Sequence, residues 1–399
     1  MRLLWTAIAG LIGLVTLPGT LELLVLSVAA VLGARERRRQ TLPTGDCGWI
    51  GVVVPAHDEE AGIGETLRSV QEAIQADGRS SLLVVADNCT DTTAAVAAEC
   101  GARVLVRQDP MRRGKGFALR HAWETLRSEP IGAMAVVDAD SVVERNFVSE
   151  IRKHLVGDAD AVQTLYRVRN PNASVRTRLL QLALTAMNVV RPLGREQLGC
   201  SAGLYGNGFA VRRETLEQVP FPGQSLTEDL DYHVRLVHAG RRARFVDSTV
   251  VWTDMPTTGG DAEAQRARWE GGRLRVAQSW ALPLAREAAR GRLALLEPLA
   301  DLLLLPLGYH ALLLVGLLAL PWWPGRIWGA AGLAILTFHL AVAAKLGGRL
   351  RDLGVLAAAP AYLAWKLVVL PRTLRASRPD APWVRGSRPS ATTHPGRAS

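Results

Sequence analysis

Residues 50–59 read Ile-Gly-Val-Val-Val-Pro-Ala-His-Asp-Glu, an apolar run closed by proline and followed at once by polar side chains. A short, β-branched apolar run that ends on a breaker has the build of a fully buried strand. Two later stretches repeat it: Leu82 to Ala86, ended by Asp87, and Met134 to Val137, ended by Asp138. Helical stretches separate them, Ile63 to Gln75 and Thr92 to Glu99, the second opened by Asp91. Strands alternating with helices predict an α/β protein with a doubly wound, Rossmann-like sheet. Such sheets bind ligands beyond the carboxyl ends of their strands, so chemistry is expected at His57, Asp58, Glu59, Asp87, Asp138 and Asp140. Acids gathered along one sheet edge repel one another unless they hold a cation or a polar ligand.

The rest of the chain is uneven around this core. Of 399 residues, 48% are hydrophobic, which excludes a disordered or fibrous protein. Apolar residues crowd into the first 32 positions and into Leu299 to Leu370, while Arg35 to Arg292 has the composition of a soluble domain. Leu3 to Leu32 carries one ionisable residue, Glu22, and exceeds the roughly 20 residues that cross a bilayer. Arg35, Arg37, Arg38 and Arg39 follow it, so the positive-inside rule places the amino terminus outside and the middle domain in the cytoplasm of a multi-pass plasma (bacterial inner) membrane protein. Leu299 to Leu320 and Ile327 to Leu346 predict two further spans, joined by Pro321-Trp322-Trp323-Pro324-Gly325. Gly354 to Leu370 holds Pro360 and Lys366 and precedes an arginine-rich tail, which favours a re-entrant or interfacial segment over a span. Asp301 and His310 offer either a functional pair or a polar contact satisfied within the helices. The expected organisation is an anchor over 1–34, a globular domain over 48–292, a membrane or interfacial region over 297–371 and a basic cytoplasmic tail over 372–399.

The net charge of +10 is carried by arginines beside the apolar spans, which points to membrane lipid as partner and away from nucleic acid. Four cysteines, Cys47, Cys89, Cys100 and Cys200, have no metal-ligand spacing and read as reduced thiols.

Asp138-Ala139-Asp140 puts two carboxylates just past a strand, hard oxygen ligands for a divalent cation with phosphate oxygens completing its shell. Gly114-Lys115-Gly116 lies shortly before, flanked by Arg112 and Arg113, basic enough to neutralise a diphosphate. It is not a P-loop, and a dinucleotide G-x-G-x-x-G is missing as well, which counts against hydride transfer. Further on, Glu228 and Asp229 open a helix pattern, where acids are favoured by the helix dipole and could also supply a general base. Gln265, Arg268 and Trp269 fall at i, i+3 and i+4, on one helix face. The apolar stretch Leu179 to Val190 reads equally as an interfacial helix or a core helix.

Taken in order, "VVVPAHDEE", "VVADNCTDTT", "GKG", "DAD", "GNGFAVRR", "TEDLDY" and "QRARW", between Ile50 and Gln278, resemble the family 2 inverting glycosyltransferases of the GT-A fold. The likeness is to the membrane-bound D,D,D,QxxRW branch of cellulose, hyaluronan and chitin-type synthases and ceramide glucosyltransferases. That resemblance implies that Pro55, Glu59 and Asp87 cradle the nucleoside of a sugar donor and that Lys115 sits near it. It implies Asp138 and Asp140 as ligands of Mg²⁺ or Mn²⁺ on the donor diphosphate, with Asp138 a donor contact too, and Asp229, next to Glu228, as the base. Gln265, Arg268 and Trp269 would form the acceptor side, with Arg268 near the diphosphate. The implied activity is transfer of a hexose or N-acetylhexosamine from a nucleotide-diphosphate sugar, a UDP-sugar foremost, to a lipid-linked or glycan acceptor. A processive synthase of a β-linked polymer is the alternative, and a catalytically silent donor-binding subunit of a polysaccharide-assembly machine is another. His57-Asp58-Glu59-Glu60 and "DNCTD" depart from the family's usual acidic runs, which leaves the choice of nucleotide base open.

Overall fold

A computed structural model describes residues 2–33, 45–156, 159–223, 227–256 and 259–378. The arginines at 35–39 and the tail beyond 378 lie outside them. The centre is one eight-stranded sheet built from β1 (Trp49–Ala56), β2 (Ser80–Asp87), β3 (Arg103–Arg107), β4 (Ile131–Val136), β5 (Ser141–Val143), β6 (Ala161–Val168), β7 (Phe209–Arg212) and β8 (Ala243–Thr253). Its order is β3-β2-β1-β4-β7-β6-β8-β5. The first four strands are parallel, as the apolar runs predict. β7 then enters antiparallel to both β4 and β6, so the sheet is mixed.

Alternation along each strand feeds two cores. Val52 and Val54 of β1 point to one face, against Ile63, Leu67 and Val70 of the helix Ile63–Asp77. Val53 points to the other, among Leu119, Trp123 and Leu126 of the helix Lys115–Leu126 and Tyr232 of the helix Glu228–His238. Each of these side chains is worth roughly 1.5–3 kcal/mol of burial, enough to fix the register, since a one-residue slip would exchange the two cores.

Among the described residues three helices are long and apolar enough to cross a membrane, Leu3–Gly33, Trp323–Leu346 and Leu350–Arg375. The expected span Leu299 to Leu320 is instead broken: Leu293–Leu303 and Leu307–Ala319 meet at 77°. Leu304 and Pro306 leave the helical conformation there, Pro306 starting the second helix. The carbonyls freed by the break need donors, and Arg273 supplies them, donating to the carbonyls of Asp301 and of Leu304. Leu350–Ala358 is 3₁₀ and runs into the helix Ala359–Ala376, long and apolar enough to cross where an interfacial segment is expected.

The first helix carries a polar stripe that the later helices match. Thr16 accepts from Trp328 (2.9 Å), Thr20 hydrogen-bonds His310 (3.0 Å) and Ser27 hydrogen-bonds His339 (2.7 Å). Asp301 and His310 therefore do not pair with each other. Leu182, Ala186 and Val190, from the stretch read as interfacial or core, pack against Ala30, Val342 and Ala343. That stretch forms the seam between the sheet domain and the apolar helices.

Candidate active site

The carboxyl ends of β1, β2 and β4 open on one large cavity of about 2310 Å³. At one rim Pro55 lies in β1, and His57 Nδ1 hydrogen-bonds the backbone carbonyl of Asp87 (2.8 Å), tying the ends of β1 and β2 together. Glu59 is buried, and its amide donates to Thr93 Oγ1 (2.7 Å). Asp87 is buried as well, but its carboxylate accepts from Arg107 (2.5 Å) and Asn88 (3.0 Å).

Beyond β4 the chain turns through Asp138, Ala139 and Asp140 before β5. Asn207 holds that turn: its Oδ1 accepts from the Asp138 amide (3.0 Å), and its Nδ2 donates to Ser141 (2.8 Å) and Thr253 (3.2 Å). Thr66 donates to the Ala139 carbonyl (2.8 Å) from the other side. Lys115 then gathers the acids. Its ammonium pairs with Asp138, donates to the Gly206 carbonyl and lies 3.9 Å from Glu228. Asp229 packs on Gly206, where a Cβ would come within 3.0 Å of its Oδ2; Gly206 also has φ of +81°, so glycine is required twice over. Residues distant in sequence, Lys115, Asp138, Gly206, Glu228 and Asp229, thus meet at one point.

The acids there are held away from their ordinary titration. Burial pushes Asp140 up to about 6, with Asp138 adding to the shift. Burial likewise pushes Glu228 up to about 7 against the pull of Lys115. Asp229 is raised by burial, while the amide of Leu230 at the helix start and Lys115 draw it back. Lys115 is raised despite its burial, because Asp138 and Glu228 surround it. Oxygen donors crowded in this way fit a hard divalent cation, which would relieve the repulsion that raises Asp140.

The helix Gly259–Ala289 forms the opposite wall, and Gln265, Arg268 and Trp269 all line the cavity, as their spacing predicts. Trp269 packs beside Leu184 and Met255, with Arg266 over its ring at 5.9 Å. The cavity continues past them to Leu304, Leu305, Pro306 and Gly308, at the break between the bent helices. Asn207 falls inside "GNGFAVRR" without a local pattern that assigns it this task; its one signal in the sequence is an amide side chain between two glycines. Arg107 and Tyr166, which also lines the cavity, carry no pattern that would have marked them.

Sheet order and site together define a GT-A, Rossmann-like nucleotide-sugar fold. Residues 48–272, more than half of the chain, match the family model described as "Glycosyltransferase like family 2", and the protein belongs to that family. It is similar to the probable glycosyltransferase YdaM of Bacillus subtilis, 27% identical over 232 residues, which covers 56% of this chain and 54% of that one. It is also similar to the beta-monoglucosyldiacylglycerol synthase of Trichormus variabilis, 28% identical over 283 residues, 68% of this chain and 59% of the relative. The chain spans little more than half the length of these curated relatives. Among solved structures, the mannosyltransferase PcManGT of Pyrobaculum calidifontis, in complex with GDP-Man and Mn²⁺, shares the fold. Its TM-score is 0.52 at 20% identity, covering 88% of this chain and 99% of that one.

Proposed function

We propose that the protein is an inverting, membrane-bound glycosyltransferase of the D,D,D,QxxRW branch. It moves a hexose or N-acetylhexosamine from a nucleotide-diphosphate sugar, a UDP-sugar foremost, to a lipid-linked or membrane-presented acceptor. The observation that carries this reading is the cavity itself, which begins at Lys115, Asp138, Asp140, Glu228 and Asp229 and ends at the broken apolar helices. Similarity to a monoglucosyldiacylglycerol synthase supports a lipid acceptor.

In this reading Pro55, Glu59 and Asp87 line the nucleoside end, and Lys115 and Arg268 face the diphosphate. Asp138 and Asp140 would hold Mg²⁺ or Mn²⁺, which when bound supplies positive charge to the leaving diphosphate. Asp229 takes the proton of the acceptor hydroxyl as that oxygen bonds to the anomeric carbon and the bond from that carbon to the diphosphate breaks. Glu228 stays beside Lys115 and sets the field around Asp229. Trp269 and Gln265 orient the acceptor. One displacement inverts the anomeric centre, so an α-linked donor gives a β-linkage. The domain limits 48–292 and 297–371, the multi-pass inner-membrane location and the cytoplasmic catalytic side belong to the same reading.

The test is purified full-length protein with Mg²⁺ or Mn²⁺, a panel of UDP- and GDP-sugars and a lipid extract, read by nucleotide release and by mass spectrometry of the lipid. A single added sugar supports the reading. A ladder of products replaces it with a processive synthase, and donor binding with neither hydrolysis nor transfer replaces it with a silent subunit.

A further inference from the structure

Lys366 stands in the helix Ala359–Ala376, within a stretch apolar enough to cross a membrane, and it is only 1% exposed. A charge so placed needs a partner. Its ammonium pairs with Glu270 of the helix Gly259–Ala289, itself buried, and lies 4.3 Å from the centre of the Tyr309 ring. Its stem passes Gly308, where a Cβ would come within 3.2 Å of Lys366 Cε, and its backbone carbonyl accepts from the Tyr309 hydroxyl (3.4 Å). One side chain therefore touches both the helix that carries Gln265, Arg268 and Trp269 and the start of the helix beyond the 77° break. Glu270 and Gly308 both line the cavity.

The polar links between these helices bracket the cavity motif. Glu270 directly follows Trp269. Two turns earlier on nearly the same face, Glu263 pairs with Arg372 and accepts from Trp365 Nε1 (3.3 Å), both on the last helix. Residues 265–269 are thus pinned at both ends by the helix Ala359–Ala376. Leu184 and Met255 add apolar contact to Trp269, but such contact is non-directional and does not fix where the ring stops along it. An ion pair does, because its length is set. Arg372 is 60% exposed, so solvent weakens its link, whereas Lys366 and Glu270 are both buried. We propose that Lys366 is a positioning residue for the acceptor: through Glu270 it sets the distance between the Trp269 wall and the break at Leu304 to Pro306, and so the passage by which the acceptor's apolar part reaches the base. This rests on the glycosyl-transfer reading of the cleft. The last apolar helix then belongs to the acceptor site as well as to the membrane region.

The experiment uses the full chain in detergent and has two arms. In the first, 5-fluorotryptophan labelling gives a fluorine line for Trp269, assigned by its loss in Trp269→Phe, with the line of Trp123 in the sheet core as reference. Lys366→Met is expected to move the Trp269 line and leave that of Trp123 in place. In the second, transfer is titrated with a lipid extract as acceptor and separately with the sugar donor. Lys366→Met should lower kcat/KM for the acceptor about 10- to 100-fold, the usual result of a displaced positioning group, while the KM of the donor is kept. Lys366→Arg should recover part of it. Because Lys366→Met strands a buried carboxylate, the double variant Lys366→Met with Glu270→Gln removes both charges, and its melting midpoint should return to that of wild type. Its acceptor defect should remain, since the link is still missing. A Trp269 line that does not move in Lys366→Met overturns the proposal, and so does a double variant that regains acceptor use together with its melting midpoint, or a loss shared equally by donor and acceptor. Should no nucleotide sugar support transfer, the glycosyl-transfer reading fails, while the fluorine lines still decide whether Lys366 positions Trp269.

Discussion

Two clusters of charge sit in this molecule, one at the strand ends and one at the seam with the apolar helices, and they are built on opposite principles. At the strand ends four carboxylates, Asp138, Asp140, Glu228 and Asp229, share one ammonium, Lys115, and burial raises Asp140, Glu228 and Asp229. At the seam three arginines face three acids. Arg191 reaches Glu22 (2.7 Å) and Asp301, Arg195 reaches Glu297 and Asp301 (3.1 Å), and Arg273 reaches Asp301 (3.0 Å). The first cluster is left short of positive charge and so is ready to accept it; the second has as many acids as arginines and holds three parts of the chain together. Buried charge serves binding where it is unbalanced and assembly where it is balanced.

Four substitutions sharpen that contrast, in falling order of effect. Asp229→Asn should lower kcat by about 10²- to 10⁴-fold, the usual worth of a positioned base, with donor affinity and melting midpoint kept; steady-state kinetics beside calorimetry would check both halves. Asp301→Asn removes the charge that Arg191, Arg195 and Arg273 share, leaving three guanidiniums to Glu22 and Glu297, and should cost roughly 3–5 kcal/mol of stability, seen in thermal unfolding in detergent. Asn207→Ala leaves the Asp138 amide without its acceptor and takes a donor away from the paired Ser141 and Thr253 hydroxyls. About 1–3 kcal/mol is expected, with a matching loss of turnover because the Asp138–Asp140 turn loosens. Ser27→Ala removes one hydroxyl from His339 between apolar helices and should cost only about 0.6 kcal/mol.

A pH profile separates the clusters further. Acids raised by burial must lose their protons before a base can act, so activity should climb as pH rises through the range near 7 to which Glu228 is pushed. Lys115 holds Glu228 and Asp229 down, so Lys115→Met should move that acid limb to higher pH. A limb that stays in place would remove Lys115 from the site's electrostatics.

The strand-end cluster was legible in the sequence because each member follows a local pattern. Asp138 ends an apolar run with Asp140 two residues on, Lys115 sits between two glycines, and Glu228 and Asp229 start a helix whose periodicity is plain. The seam was not, because Glu22, Arg191 and Asp301 are joined only by the tertiary fold and each alone resembles an isolated polar residue in apolar surroundings. The break at Leu304 to Pro306 was hidden for another reason. Hydropathy averages over a window, and the feature that makes the break tolerable is Arg273, which lies in a different helix. The antiparallel β7, Phe209–Arg212, is only four residues long and follows directly on the glycines at 203, 206 and 208, which break any strand pattern before it.

The salt link between Glu22 and Arg191 joins residues 169 positions apart, and Arg191 is 110 positions from Asp301. During synthesis the helix Arg2–Gly33 therefore carries an unmatched carboxylate until the α/β portion has emerged, and that portion must wait in turn for the helix that follows it. Trimming the polypeptide to a water-soluble piece would leave Arg191 and Arg195 stripped of counter-ions. Whoever purifies this protein should keep both ends.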